Sequence, residues 1–148
     1  MNYKMIDFPA KKVVGMEYAG QNENQEIVGL WDAFMKRYQE VKGIHTQIMY
    51  GLCYDYEEGG AFSYLAAVEV DEMESMPEGM KLMSIPARTY AVFTFSDHLS
   101  KIGEFWDKIY AEYLPANNLK PEFGMSFELY DERFGKSGEF DIYVPIQK

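Results

Sequence analysis

Cysteine is almost missing from this 148-residue sequence, where Cys53 stands alone. An intrachain disulfide is therefore excluded, and so is a metal site built on paired thiolates. Histidine is nearly as scarce. His45 and His98 lie far apart and outside any metal-ligand spacing, so neither a metal nor a cofactor is expected. No apolar run approaches the ~20 residues of a membrane-spanning helix. Met1-Asn2-Tyr3-Lys4-Met5 has no charged segment leading into an apolar one. A protein of the reducing cytoplasm, without membrane contact, is the expectation.

Positive charge is the third shortage. Fourteen Lys and Arg stand against twenty-four Asp and Glu, for a net charge of −10. The cations are scattered (Lys11-Lys12, Lys36-Arg37, Lys81, Arg88, Lys101, Arg133), so no patch gathers to meet a phosphate backbone. Direct nucleic-acid binding is not expected. No nucleophile–base pair and no phosphate-binding loop is found either.

What the chain has in quantity is apolar and aromatic surface. Hydrophobic residues make up 47% and aromatics 16%, with twelve Tyr, ten Phe, two Trp and ten Met. That composition excludes disorder, and the length fits one domain, residues 1–148, with a core of its own.

The two halves of the sequence match. Asp7-Phe8-Pro9-Ala10-Lys11-Lys12-Val13-Val14 resembles Ser84-Ile85-Pro86-Ala87-Arg88-Thr89-Tyr90-Ala91 at an offset of 77. Ile27 to Phe34 matches Ile102 to Ile109 at 75, Tyr54-Asp55 matches Tyr130-Asp131 at 76, and Gly60-Ala61-Phe62 matches Gly138-Glu139-Phe140 at 78. Two copies are too few for a solenoid, so the repeats, about 1–72 and 80–148, should share one core.

Within each half, Val14, Met16 and Tyr18, then Ala91, Phe93 and Phe95, alternate as strands do. Ile27, Trp31, Phe34, Tyr38 and Val41 form a helical stripe, as do Ile102, Phe105, Trp106, Ile109 and Tyr113. Asn24 and Ser96 suit the helix starts, Gly43 and Pro115 the stops. Segments 46–56 with 61–70, and 123–132 with 139–147, read as strand pairs turned at Glu58-Gly59-Gly60 and Gly135-Lys136-Ser137-Gly138. The fold class is α+β: tandem β-α-β-β units form one antiparallel sheet, with two helices packed on one face and a ligand cleft on the other.

Alternation assigns residues to faces. Phe140, Ile142, Val144 and Ile146, with Met125, Phe127 and Leu129, are expected under the helices. Ser126, Glu128, Tyr130 and Tyr143 then point away, joined by Tyr50, Leu52, Tyr54 and Leu65. At the centre of that face the offset of 76 sets Leu52 against Glu128. A carboxylate among aromatic rings can pair with a ligand cation or accept a proton. A second reading stands beside it, a solvent-facing glutamate hydrogen-bonded to a tyrosine. Trp31 and Trp106 read as anchors at the helix–sheet interface, and Trp106 near the cleft edge can also stack on a ligand. The linker Asp71–Ser84 carries Met73, Met76, Met80 and Met83, which read as packing surface or a flap, and the acidic run Glu69, Asp71, Glu72 and Glu74 reads as a solvated linker. Cys53 alternates onto the helix side as a buried thiol, and the two histidines read as structural or exposed.

Ile85-Pro86-Ala87-Arg88-Thr89-Tyr90-Ala91-Val92-Phe93, Phe127-Glu128-Leu129-Tyr130-Asp131 and Glu139-Phe140-Asp141-Ile142-Tyr143-Val144-Pro145-Ile146 together resemble the GyrI-like small-molecule-binding domain. The resemblance covers nearly the whole chain. It implies a cleft along a pseudo-two-fold axis that takes cationic aromatic compounds, with Glu128 as the charged contact and Tyr130 and Tyr143 beside it. Two further functions are implied by stand-alone members. One is hydrolysis of cyclopropane-bearing toxins with Glu128 as general base, and the other is modulation of a protein partner such as gyrase. The expected partners are small organic molecules, and the sequence leaves the oligomeric state open.

Overall fold

The protein is described as a computed structural model covering residues 3–71 and 76–147. The readings for Glu72, Met73 and Glu74, and for the His45 side chain, lie outside the described residues. In chain order the elements are β1 (Lys4–Phe8), β2 (Lys11–Gly20), α1 (Glu26–Met35), β3 (Ile44–Tyr54), β4 (Phe62–Val70), β5 (Lys81–Ile85) and β6 (Arg88–Phe95). Then α2 (Ile102–Lys108) runs through a π-helical turn (Ile109–Tyr113) into the short α3 (Leu114–Ala116). The chain ends in β7 (Ser126–Tyr130), α4 (Glu132–Ser137) and β8 (Phe140–Pro145). No helix among the described residues is long and apolar enough to cross a membrane.

The strands form one antiparallel sheet in the order β1-β6-β8-β7-β3-β4-β2-β5. Exchange each strand for its counterpart in the other half and the order reads the same backwards. Each half holds one strand more than β-α-β-β, because β1 and β5 precede the segments read as first strands. These two strands are traded. β1 pairs with β6 of the second half, with Ile6 opposite Tyr90. β5 pairs with β2 of the first half, with Met83 opposite Val13. Pro9 and Pro86 sit where the chain leaves each traded strand, and proline has no N–H with which to continue a ladder. The last four residues of the supposed linker are thus strand: Met80 is buried, Met83 packs on the core, and Met76 is exposed, while Glu69, read as solvated, is buried in β4.

The helix ends differ from expectation in detail. α1 begins after Gln25, at φ 58°, and Asn22, not Asn24, accepts from the Ile27 N–H at 3.0 Å. A 3₁₀ turn (Leu99–Lys101) precedes α2, capped by the His98 ring rather than by Ser96. Pro115 lies inside α3. The second hairpin is closed by α4, not a tight turn, with Asp131 accepting from the Arg133 N–H at its start and Gly138 at φ 82° after its end.

Both helices cover the same face of the sheet. α1 brings Phe34 onto Val14, Ala66 and Val68, while the helical run from Ile102 brings Ile109 and Leu114 onto Phe93, Phe140 and Ile142. Trp106 packs against both clusters. The opposite face is concave and closed on itself. Phe8 of β1 and Phe127 of β7 are separated by two strands, roughly 14 Å along a flat sheet, yet their ring centroids lie 5.3 Å apart. The sheet therefore curls around Tyr50, Leu52, Tyr54, Leu65, Tyr90, Phe127, Leu129 and Tyr143.

This overturns one face assignment. Leu52 pairs with Phe127, and Gly51 pairs with Glu128. Phe127 and Leu129 belong to the concave core, and Ser126, Glu128 and Tyr130 point under the helices. The cleft residue expected on the far face lies on the helix face, because a one-residue slip in register moves every side chain of a strand across the sheet.

Close approach of β2 to β4 depends on Gly15. A Cβ there would lie 1.9 Å from the Ala66 carbonyl oxygen and 2.7 Å from the Ala67 Cα, both backbone atoms that cannot yield. Gly15→Ala should lower stability by about 1–3 kcal/mol, read as a fall of several degrees in the thermal midpoint.

Candidate ligand-binding site

One row of paired residues crosses six strands: Phe93, Ile142, Glu128, Gly51, Ala66 and Met16. All six point to the helix face, and the Glu128–Gly51 pair lies at the middle. The pseudo-two-fold axis passes there, so the true counterpart of Glu128 is Gly51, at an offset of 77, and not Leu52. The asymmetry has a steric cause. A Cβ on residue 51 would lie 2.0 Å from the Tyr64 hydroxyl and 2.5 Å from Glu128 Oε1. The axis has room for one side chain, and a carboxylate occupies it.

Glu128 is 7% exposed and is held by neutral donors. Tyr64 and Tyr130 hydroxyls donate to Oε1 at 2.6 and 2.8 Å, and the Trp106 indole donates to Oε2 at 3.4 Å. The Trp31 indole donates in turn to the Tyr64 hydroxyl at 2.9 Å. Among the described residues no Lys, Arg or His makes an ion pair with Glu128. Burial pushes its carboxyl above the usual carboxylate range, while the Tyr64, Tyr130 and Trp106 donors pull it back only in part. Burial, followed by the negative charge of Glu128, pushes the Tyr64 and Tyr130 phenols up.

The walls are aromatic. Trp31, from α1, meets Tyr130 edge-on with centroids 5.6 Å apart. Trp106, from α2, stacks on Tyr110 at 6.4 Å and 13°. The two indoles are half-buried; Trp106 reaches the carboxylate directly and Trp31 reaches it through the Tyr64 hydroxyl. Two surface hollows, about 620 and 650 Å³, open elsewhere, beside Arg88 and beside Tyr54. At Glu128 the rings of Tyr64, Tyr130 and Trp106 lie within hydrogen-bond reach of the carboxylate.

Of the expected site residues, Glu128, Tyr130 and Trp106 come together. Tyr50, Leu52, Tyr54, Leu65 and Tyr143 do not join them. Leu52 and Leu65 are fully buried in the concave core, and Tyr143 stacks on Phe127 at 4.5 Å. The Tyr50 hydroxyl donates to Glu69 at 2.6 Å, and the Tyr54 hydroxyl to Glu17, which also holds Lys81. Sequence reasoning missed Tyr64 and Tyr110 and kept Trp31 as an anchor only. The repeat carried the signal for Trp31, since it is the counterpart of Trp106.

A curled antiparallel sheet of two like halves, with helices on one face and a buried acid on its pseudo-axis, defines the class of fold. The chain belongs to the GyrI-like small molecule binding domain family, whose model matches residues 1–147. It is similar to the transcriptional regulator BrlR of Pseudomonas aeruginosa, 38% identical over 99% of this chain and 56% of BrlR. A DNA gyrase inhibitor of Serratia proteamaculans is 32% identical over 48% of this chain and 47% of its own. The chain thus spans about half the length of the curated relatives it matches. Among solved structures, SAV2435 bound to tetraphenylphosphonium has the same fold, with a TM-score of 0.71, 21% identity and coverage of 99% of this chain and 94% of that one.

The buried acid has a consequence for stability. In the unfolded chain Glu128 titrates at about 4.5, and in the fold it titrates higher. Below the unfolded value both states hold the proton and the fold keeps its full stability. As pH rises through the folded value, the native state must give up a proton that its surroundings favour, and stability falls. Glu128→Gln removes that dependence. Its thermal midpoint should gain on that of the wild type by a few degrees between pH 4 and pH 8, measured at matched pH.

Proposed function

We propose that this GyrI-like domain binds cationic aromatic molecules between Trp31 and Trp106, with Glu128 as the charge partner. The observation that carries the reading is a buried carboxylate surrounded by rings and hydroxyls with no ion-pair partner among the described residues. A buried charge without a counter-charge costs several kcal/mol. A ligand cation supplies the missing charge, and the ring faces attract it further. In this reading the indoles swing aside and the ligand takes their place, so residues 1–148 act as one domain with its repeats, about 1–72 and 80–148, closing on the ligand from two sides. The fold shared with SAV2435, solved with an organic aromatic cation, supports the choice of ligand class.

The same carboxylate invites a hydrolytic reading, as general base on a water that opens a strained ring. Its raised proton affinity favours that reading. Two phenols already donate to Oε1, however, and such bonds lower the basicity a proton abstraction would use. Binding is therefore the preferred reading. Modulation of a protein partner has no localised surface among the described residues to support it.

Titration with tetraphenylphosphonium, followed by tryptophan fluorescence, tests the proposal. The wild type should bind more tightly as pH rises, because only the ionised acid pairs with the cation. Glu128→Gln should lose at least about tenfold in affinity. Equal affinity in the two proteins would overturn the role of Glu128. Incubation with a cyclopropane-bearing electrophile, with products read by mass, supplies the other arm. Turnover that disappears in Glu128→Gln would replace the binding reading with the hydrolytic one.

A further inference from the structure

Glu128 is not the only polar group that β7 sends under the helices. Ser126 lies two residues earlier on the same face, and it is 1% exposed. Two strand residues span roughly 7 Å, so its hydroxyl lies about one aromatic ring away from the carboxylate. Tyr56, just beyond the end of β3, brings its hydroxyl to 3.0 Å from Ser126 Oγ. Tyr110, in the π turn one helical turn after Trp106, lies against the same serine. The π turn widens the helix at this point, and such turns recur at functional sites.

This end of the site is polar without being charged. Burial pushes the Cys53 thiol and the Tyr56 and Tyr110 phenols up, so all three stay neutral near pH 7. Ser126 bonds both Tyr56 and Tyr110, and Tyr56 also meets the Cys53 thiol, so these contacts engage three of the four protons of the group and leave one donor and oxygen lone pairs for a ligand. Tyr56 and Tyr110 are 49% and 43% exposed as whole residues, while Ser126 is 1% and Glu128 7% exposed. The two tyrosine rings therefore form the solvent border of the site, with their hydroxyls turned inward to Ser126 and the acid beyond.

Resting on the reading of Glu128 as the cation partner, we infer that Ser126 and Tyr56 form a second, neutral subsite. The ligand class is then narrower than aromatic cations in general. It is an aromatic cation bearing a hydroxyl or carbonyl group roughly 7 Å from the positive centre, with the cation inward and the neutral group toward solvent.

Two pairs of probes separate this inference from the reading it rests on. The cationic pair is tetraphenylphosphonium and its (4-hydroxyphenyl)triphenyl analogue. The neutral pair is biphenyl and 4-phenylphenol. Wild type should bind the hydroxylated member of the cationic pair about fivefold to tenfold more tightly. In Ser126→Ala and in Tyr56→Phe the ratio between the two members should fall toward one, while in Glu128→Gln it should persist as both affinities drop. A ratio near one in the wild type, or one unchanged in both hydroxyl variants, would overturn the subsite. If neither cation binds, the charge reading fails and the neutral pair decides. A preference for 4-phenylphenol that is lost in Ser126→Ala sustains the subsite, and no preference overturns it. Thermal melts of each variant identify any loss that comes from misfolding.

Discussion

A carboxylate can be taken out of water only where donors or cations replace the water it leaves, and the centre of this sheet is arranged around that constraint. Glu128 sits on the pseudo-two-fold axis, where a symmetric fold would bring two equal side chains into one space. Two acids there would repel and two bulky groups would collide, so one half supplies the acid and the other supplies Gly51. The donors come from both halves: Tyr64 and Trp31 from the first, Tyr130 and Trp106 from the second. A nearly symmetric scaffold thus carries an asymmetric site, and a single charge decides the orientation of what binds.

The abundance of aromatic residues divides between two tasks according to the pleat. Phe8, Tyr50, Tyr90, Phe127 and Tyr143 fill the concave side of the curled sheet, with ring contacts between 4.5 and 6.1 Å. Those rings are committed to the core. Tyr64, Tyr130, Trp31, Trp106, Tyr56 and Tyr110 stand on the other side, where the helices part around the axis. Their rings meet edge-on or stacked, and every hydroxyl or indole N–H that meets Glu128 is a neutral donor. Rings of this second set hold the acid without neutralising it.

Much of this was legible in the sequence. The helical stripes and the β-strand alternation followed from local pattern and the pairing of like halves from the repeat, and these fix the antiparallel α+β class. Glu128 stood out through a comparison with Leu52 that the strand pairing replaces with Gly51. What failed was a matter of one residue. The motif Tyr54-Asp55 against Tyr130-Asp131 aligns at 76, whereas β3 and β7 pair across the axis so that these two strands superimpose at 77. Because side chains alternate, that slip placed Glu128 among Tyr50, Leu52 and Leu65 in the wrong layer. The matching dipeptides lie at strand ends, where chain geometry tolerates a shift, and the mid-strand pairing that sets the face is a non-local property. The traded strands were missed for a related reason. Lys4–Phe8 and Lys81–Ile85 are short, and their partners lie in the opposite half of the chain.

The exchange of β1 and β5 gives the domain the architecture of a strand-swapped dimer joined into one polypeptide. Neither half can complete its own sheet. Lys4 meets Val92, and Lys11 meets Ile85, so the outermost ladders close some of the longest loops in the molecule. Such pairings come late in folding, after the local hairpins have formed. During synthesis the first half emerges with β1 lacking a partner and the outer edge of β2 bare, open to pairing with a neighbouring chain. The ribosome must deliver Lys81–Ile85 before that edge is covered, and Arg88–Phe95 before β1 is held. The interval before the first of those two events, with both β1 and the edge of β2 open, is when this protein is most exposed to misassembly.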